Sequence, residues 1–78
     1  MRDETRTKIE TVFREVFDND NLRLSDNPSS ETLATWDSLA HIRLVSSLED
    51  ELALTFTLEE IEGMTSATKI LAVVESKV

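Results

Sequence analysis

Apolar residues recur along this chain at helical spacing, and the polar segments between them are short in all but one place. Ile9, Val12, Phe13, Val16 and Phe17 follow the i, i+3, i+4, i+7, i+8 pattern of one helical face, with Glu10, Arg14 and Glu15 on the other side. This predicts a first helix from about Asp3 to Phe17. Asp18-Asn19-Asp20-Asn21 then ends it, because these side chains bond their own backbone and favour turns. Leu39, Ile42, Val45, Leu48 and Leu52, with Leu44 widening the stripe, predict a second helix that ends near Leu52 and is capped at its start by Asp37. Thr57-Leu58-Glu59-Glu60 has the Thr-x-x-Glu form of a capping box, so a short third helix should begin at Leu58 and stop by Gly63. Thr65 is the expected cap of a last helix whose apolar side carries Ala67, Ile70, Leu71 and Val74.

The exception is the connection from Asp18 to Trp36, DNDNLRLSDNPSSETLATW, which has no sustained period. Structureless loops longer than ~12–15 residues are uncommon in compact domains and are usually functional or disordered. Leu22, Leu24, Leu33 and Trp36 are spaced through this one, which predicts that it packs down on the core. Pro28 and the serines after it mark a turn within it, since proline disfavours helix at the preceding residue. The segment ALTFT before the third helix alternates like a strand, but no second strand is present to pair with it, and it reads as an extended linker. The pattern as a whole predicts an all-α fold of three longer helices and one short one, with a long loop between helices 1 and 2 and no internal repeat.

Length and composition narrow this further. Seventy-eight residues make one domain, spanning 1–78. A chain this small buries only roughly 60% of its unfolded surface. There is no cysteine, so disulfides, a thiolate metal site and a cysteine nucleophile are all excluded, and the fold must rest on packing. One Gly and one Pro leave few breaks, in keeping with helices. Sixteen acidic against eight basic residues give a formal charge of −8. Such a charge repels nucleic-acid phosphates and anionic lipid surfaces, and it suits partners with basic faces. No apolar run follows the charged opening MRDETRTKIE, so no signal peptide is read there, and no stretch reaches transmembrane length. These features fit a reducing cytosol.

Chemistry concentrates at Trp36-Asp37-Ser38-Leu39, which places a serine hydroxyl at a loop-to-helix junction, on the first turn of the second helix. Unpaired N–H groups and the positive end of the helix dipole favour a phosphate or phosphodiester at such a point. Asp and Ser are also the ordinary capping residues, so the dipeptide alone allows a plain structural role. Other constellations fail. Asp18 and Asp20 open no calcium loop, because the sixth position is Arg23 and the twelfth is Ser29. Asn27-Pro28-Ser29 is no glycosylation site, its middle residue being proline. The lone His41 reads as a solvent-exposed surface histidine, and no nucleophile elbow surrounds Ser38.

Asp37-Ser38-Leu39 followed by Ile42, Leu44-Val45, Leu48-Glu49 and Glu51-Leu52 resembles the acyl carrier protein family. The resemblance covers essentially the whole chain: the amphipathic first helix, the long loop, the acidic Glu49-Asp50-Glu51 near the end of the second helix, the short acidic third helix and the final helix introduced by Thr65. It implies a four-helix acyl-carrier-type bundle in which Ser38 is the attachment residue for 4′-phosphopantetheine. A phosphopantetheinyl transferase supplies the arm from coenzyme A, and acyl groups ride on the arm's thiol as thioesters. Asp37 matches the acidic residue before the serine. Leu39 matches the apolar residue after it, which faces either the modifying enzyme or the packed interior. The resemblance also implies a monomer that is no enzyme, has no catalytic residue and no metal, and serves acyl-loading and acyl-processing enzymes rather than nucleic acid or membrane.

Departures from the family pattern point to a specialised polyketide, lipid or other secondary pathway. Ala40, Arg43 and Ser46 stand where typical fatty-acid carriers have acidic, acidic and methionine residues, and Trp36 stands where many have a small residue. Trp36 is read as core packing whatever the cargo. Two alternatives remain at this point: an aminoacyl or peptidyl carrier, and an unmodified acidic helical adaptor. Glu59, Glu60 and Glu62, with Glu49, Asp50 and Glu51, read either as an acidic docking patch or as solvated charges, Glu59 and Glu60 being favoured in any case by a helix N-terminus.

Overall fold

The computed structural model describes residues 3–77. Met1, Arg2 and Val78, the ends of the expected domain, lie outside the described residues. Four α-helices are present among the described residues: α1 (Asp3–Val16), α2 (Ser38–Leu52), α3 (Leu58–Gly63) and α4 (Ala67–Lys77). The described residues hold no strand, and ALTFT is a linker in which Ala53 closes α2 in the left-handed region (φ 53) and Phe56 is buried. The chain is all-helical, as its periodicity predicts.

α1 buries Ile9, Val12 and Phe13, and Phe17 is buried just past its end. It closes with Asp18 in the left-handed region (φ 50), Asn19 N–H bonded to Arg14 O at 3.0 Å and Asp18 N–H to Glu15 O at 3.4 Å. These two bonds satisfy carbonyls that the end of any helix leaves open, and aspartate tolerates the left-handed conformation better than most residues.

The long loop packs down as predicted, burying Leu22, Leu24 and Trp36. Its backbone between the two leucines is held by the polar side of α1. Arg14 Nε donates to Leu22 O at 2.9 Å, Glu10 Oε2 accepts from Leu24 N–H at 3.1 Å, and Glu10 and Arg14 pair at 3.1 Å. A single 3₁₀ turn, Leu24–Asp26, follows. Ser29 and Thr32 then bond each other's backbone N–H groups, making the turn expected after Pro28.

The loop also fastens the start of α4. Ala67 N–H donates to Pro28 O at 2.8 Å, Thr68 N–H to Asn27 Oδ1 at 3.0 Å, Lys69 N–H to Ser66 Oγ at 3.2 Å and Ile70 N–H to Ser66 O at 3.0 Å. The first three helical N–H groups, which have no partner within the helix, are thereby satisfied, and Ile70 N–H makes the first regular intrahelical bond. Ser66, not Thr65, is the cap: its hydroxyl reaches the third helical residue, the distance at which a cap works. Thr65 instead gives its carbonyl to Ser30 N–H at 2.9 Å, joining the linker to the loop.

α2 corrects the sequence reading in one respect. Leu44, Val45 and Leu48 are buried and Leu52 packs on the core, but Leu39 is 66% exposed and Ile42 64% exposed. A series that advances mostly by three residues drifts round a helix of 3.6 residues per turn. Leu39 lies nine residues before Leu48, two and a half turns, and so on the opposite face. The residue that joins Val45, Leu48 and Leu52 on the inward face is His41.

α3 begins with both halves of the capping box. Thr57 Oγ1 accepts from Glu60 N–H at 3.2 Å, and Glu60 Oε1 accepts from Thr57 N–H at 2.8 Å. Lys77, at the end of α4, pairs with the same carboxylate at 3.0 Å and sits 5.8 Å from the centre of the Phe56 ring. The Thr57 N–H, with the Lys77 ammonium, holds the Glu60 carboxyl below its ordinary value. The core that results runs from Ile9 and Phe13 on α1 through Leu44 and Leu48 on α2 to Met64, Ile70 and Val74, all fully enclosed.

Candidate functional site

The site forms where the long loop hands over to α2, and Trp36 fixes that point. Its indole is 5% exposed and packs against Phe13 of α1, edge-on at 5.7 Å, and Phe17 just past that helix, tilted at 5.3 Å. A buried tryptophan needs an acceptor for its N–H. His41 Nδ1 provides it at 3.0 Å, and the other ring nitrogen, Nε2, lies 2.7 Å from Ile61 O on α3. A carbonyl oxygen only accepts, so His41 is the Nε2–H tautomer, donating to α3 and accepting from Trp36. The expected surface histidine is thus a half-buried bridge between the loop, α2 and α3.

With Trp36 anchored, the next residue must turn the chain into the helix. Asp37 is extended (φ −98, ψ −173), and its Oδ1 accepts from Ala40 N–H at 2.8 Å, the cap predicted for it. Ser38 becomes the first helical residue. It is exposed, and its hydroxyl has no partner among the described residues. Leu39 follows, pointing away from the core. All three predicted site residues therefore sit together at one helix start, with the serine outward, the aspartate engaged as a cap and the leucine on the surface.

An open groove of about 430 Å³ adjoins the serine. Trp36, Asp37, Ser38, His41 and Ile42 line it from α2 and its approach, while Ser30 comes from the loop and Thr65 from the α3–α4 linker. Ser30 and Thr65 are joined by the bond from Ser30 N–H to Thr65 O, which keeps that wall in place. Nothing in the sequence points to these two residues, because they come to Ser38 only through that long-range pairing. His41, read from the sequence as a surface residue, had one signal that could have found it: its place one helical turn beyond Asp37, near a tryptophan expected in the core.

The acidic residues divide into two groups. Glu49 Oε2 accepts from Phe56 N–H at 2.9 Å and Glu60 belongs to the capping box, so both hold local structure. Asp50, Glu51, Glu59 and Glu62 are exposed.

No family model, curated protein or solved structure matches this chain. Among the described residues, no group of three or more His, Cys, Asp or Glu side chains is placed to hold a metal ion, and no helix is long and apolar enough to cross a membrane.

Proposed function

We propose that this protein is a carrier of the acyl-carrier type whose Ser38 is esterified by 4′-phosphopantetheine. The observation that carries the reading is the hydroxyl of Ser38, exposed and unpartnered at the first residue of α2, beside an open groove. A serine that merely capped the helix would turn its oxygen onto a backbone N–H. Here Asp37 caps instead, and Ser38 is left for another use.

The surroundings fit the group. A phosphodiester on Ser38 would lie at the positive end of a 15-residue helix, where negative charge is favoured. In the transfer, the Ser38 Oγ–P bond forms as the pyrophosphate bond of coenzyme A breaks. The serine proton is lost, and adenosine 3′,5′-bisphosphate leaves. The arm brings the thiol that this cysteine-free chain lacks, and that thiol carries acyl groups as thioesters. The chain's own residues act by position: Trp36 and Asp37 fix the helix start, Ser38 faces outward, and Leu39 and Ile42 give the modifying and processing enzymes an apolar surface next to the attachment point. Tethering raises the local concentration of the cargo at successive active sites.

The departures at Trp36, Ala40, Arg43 and Ser46 favour a carrier of a specialised pathway over one of general fatty-acid synthesis. The acyl-carrier-type bundle, a monomeric state and a cytoplasmic location belong to this same reading.

Intact-mass measurement tests it. After incubation with coenzyme A and a promiscuous phosphopantetheinyl transferase, the wild-type chain should gain the mass of one phosphopantetheine, and Ser38→Ala should gain none. An unchanged wild-type mass would reject the carrier and favour the unmodified adaptor.

A further inference from the structure

We infer that the groove beside Ser38 is a resting site for the arm itself, with the two methyl groups of its pantoyl unit seated between Trp36 and Ile42. This rests on the carrier reading above, and it concerns where the arm lies between visits to enzymes.

Ser38 is one of the residues that line the groove, so an arm attached there begins at its wall. Its volume, about 430 Å³, lies within the range of small-molecule sites. Trp36 and Ile42 give it apolar surface, and Ser30 and Thr65 add hydroxyl groups. The pantoyl unit has the same mixed character, a gem-dimethyl carbon between the phosphate-bearing methylene and a hydroxyl-bearing carbon that leads to an amide. The match is one of chemistry as well as size.

The interior offers no comparable route at this point. The Trp36 indole, His41 and the Ile61 carbonyl form a continuous hydrogen-bonded chain from the loop across α2 to α3. A group passing inward between α2 and α3 here would have to break one of these bonds and leave a polar group of Trp36 or Ile61 unpaired. The groove requires no such change, because it opens directly to solvent beside Ser38.

Weak intrinsic affinity suffices for this role. A short flexible tether gives an effective concentration in the millimolar range, so a groove with a dissociation constant of about 1 mM is occupied for a large part of the time. The same weakness lets an enzyme draw the arm out. Ile42 is 64% exposed, so its contact with the arm would shield apolar surface that the protein alone leaves in water.

The test uses the full chain, loaded with the arm and without cargo. Intact mass first establishes that the arm is on Ser38. Nuclear Overhauser contacts are then sought from the gem-dimethyl protons to the Trp36 ring and the Ile42 methyls. Trp36 is the only tryptophan in the chain, so its emission also reports directly on this wall. We expect both contacts, a change in Trp36 emission on loading, and loss of at least half of that change in Ile42→Ala with unaltered helical circular dichroism. A loaded protein whose arm shows no contacts, or shows them to Leu48 and Ile70 in the core, would overturn the placement while leaving the carrier intact. A protein that gains no mass would remove the carrier reading and this inference together.

Discussion

Trp36 and His41 show how one buried polar atom can organise a site. The indole closes the aromatic cluster with Phe13 and Phe17, and its N–H must then be bonded by whatever stands one turn into α2. Replacing His41 by leucine removes the acceptor and frees Ile61 O at once. A donor stranded in this way costs about 1–3 kcal/mol. His41→Leu should lower the free energy of unfolding by that amount in a urea titration followed by circular dichroism. A change within about 0.5 kcal/mol, the ordinary effect of a surface substitution, would show that the bridge bears no weight. The exposed neighbours Leu39 and Ile42 contribute little to the core. At this scale Ser38 and Asp37 were readable directly, because a cap and the residue after it have fixed roles. The role of His41 required knowing that Trp36 would be buried at its side.

Among the elements, α3 depends most on its ends. Its six residues bury no side chain fully, and a helix this short is held by its cap and by what its ends touch. Glu60 serves twice, accepting from the Thr57 N–H and pairing with Lys77, which ties the start of α3 to the end of α4. These contacts hold the carboxyl below its ordinary value, the Thr57 N–H most strongly and Lys77 next. A carboxyl lowered in the folded state adds stability that is present above its unfolded value and is lost as pH falls through the folded one. Wild type should therefore exceed Glu60→Gln in thermal stability at neutral pH, and the gap should close in acid, below the usual carboxylate range. A gap that stays constant across the titration would mean that Glu60 acts through shape alone. The Thr-x-x-Glu spacing made this cap legible, since both partners lie within four residues. Lys77 was not legible, because its approach to Glu60 depends on how α4 packs. For α2 the sequence also held the correct answer, in the spacing of His41, Val45, Leu48 and Leu52, but the apolar character of Leu39 and Ile42 suggested another face.

For the whole molecule, the dominant fact is a charge of −8 on a core of modest size. Excess like charge opposes compaction, and added salt screens it over about 10 Å at 0.1 M. Salt also weakens pairs such as Glu10–Arg14 and Glu60–Lys77, but ion pairs at the surface contribute little. The net effect should be a melting temperature that rises between about 10 mM and about 0.5 M sodium chloride. A flat or falling profile would place more weight on the pairs than on the overall charge. The pattern of apolar residues determined the four helices, their approximate ends and the inward packing of the long loop, since periodicity and caps act over a few residues. It also placed Ser38 at a helix start. Tertiary structure decided which face of α2 is inward, that Asn27 and Pro28 secure the start of α4, and that Ser30 and Thr65 stand across from Ser38. Each of those depends on contacts between residues far apart in the chain, and local spacing carries no record of them.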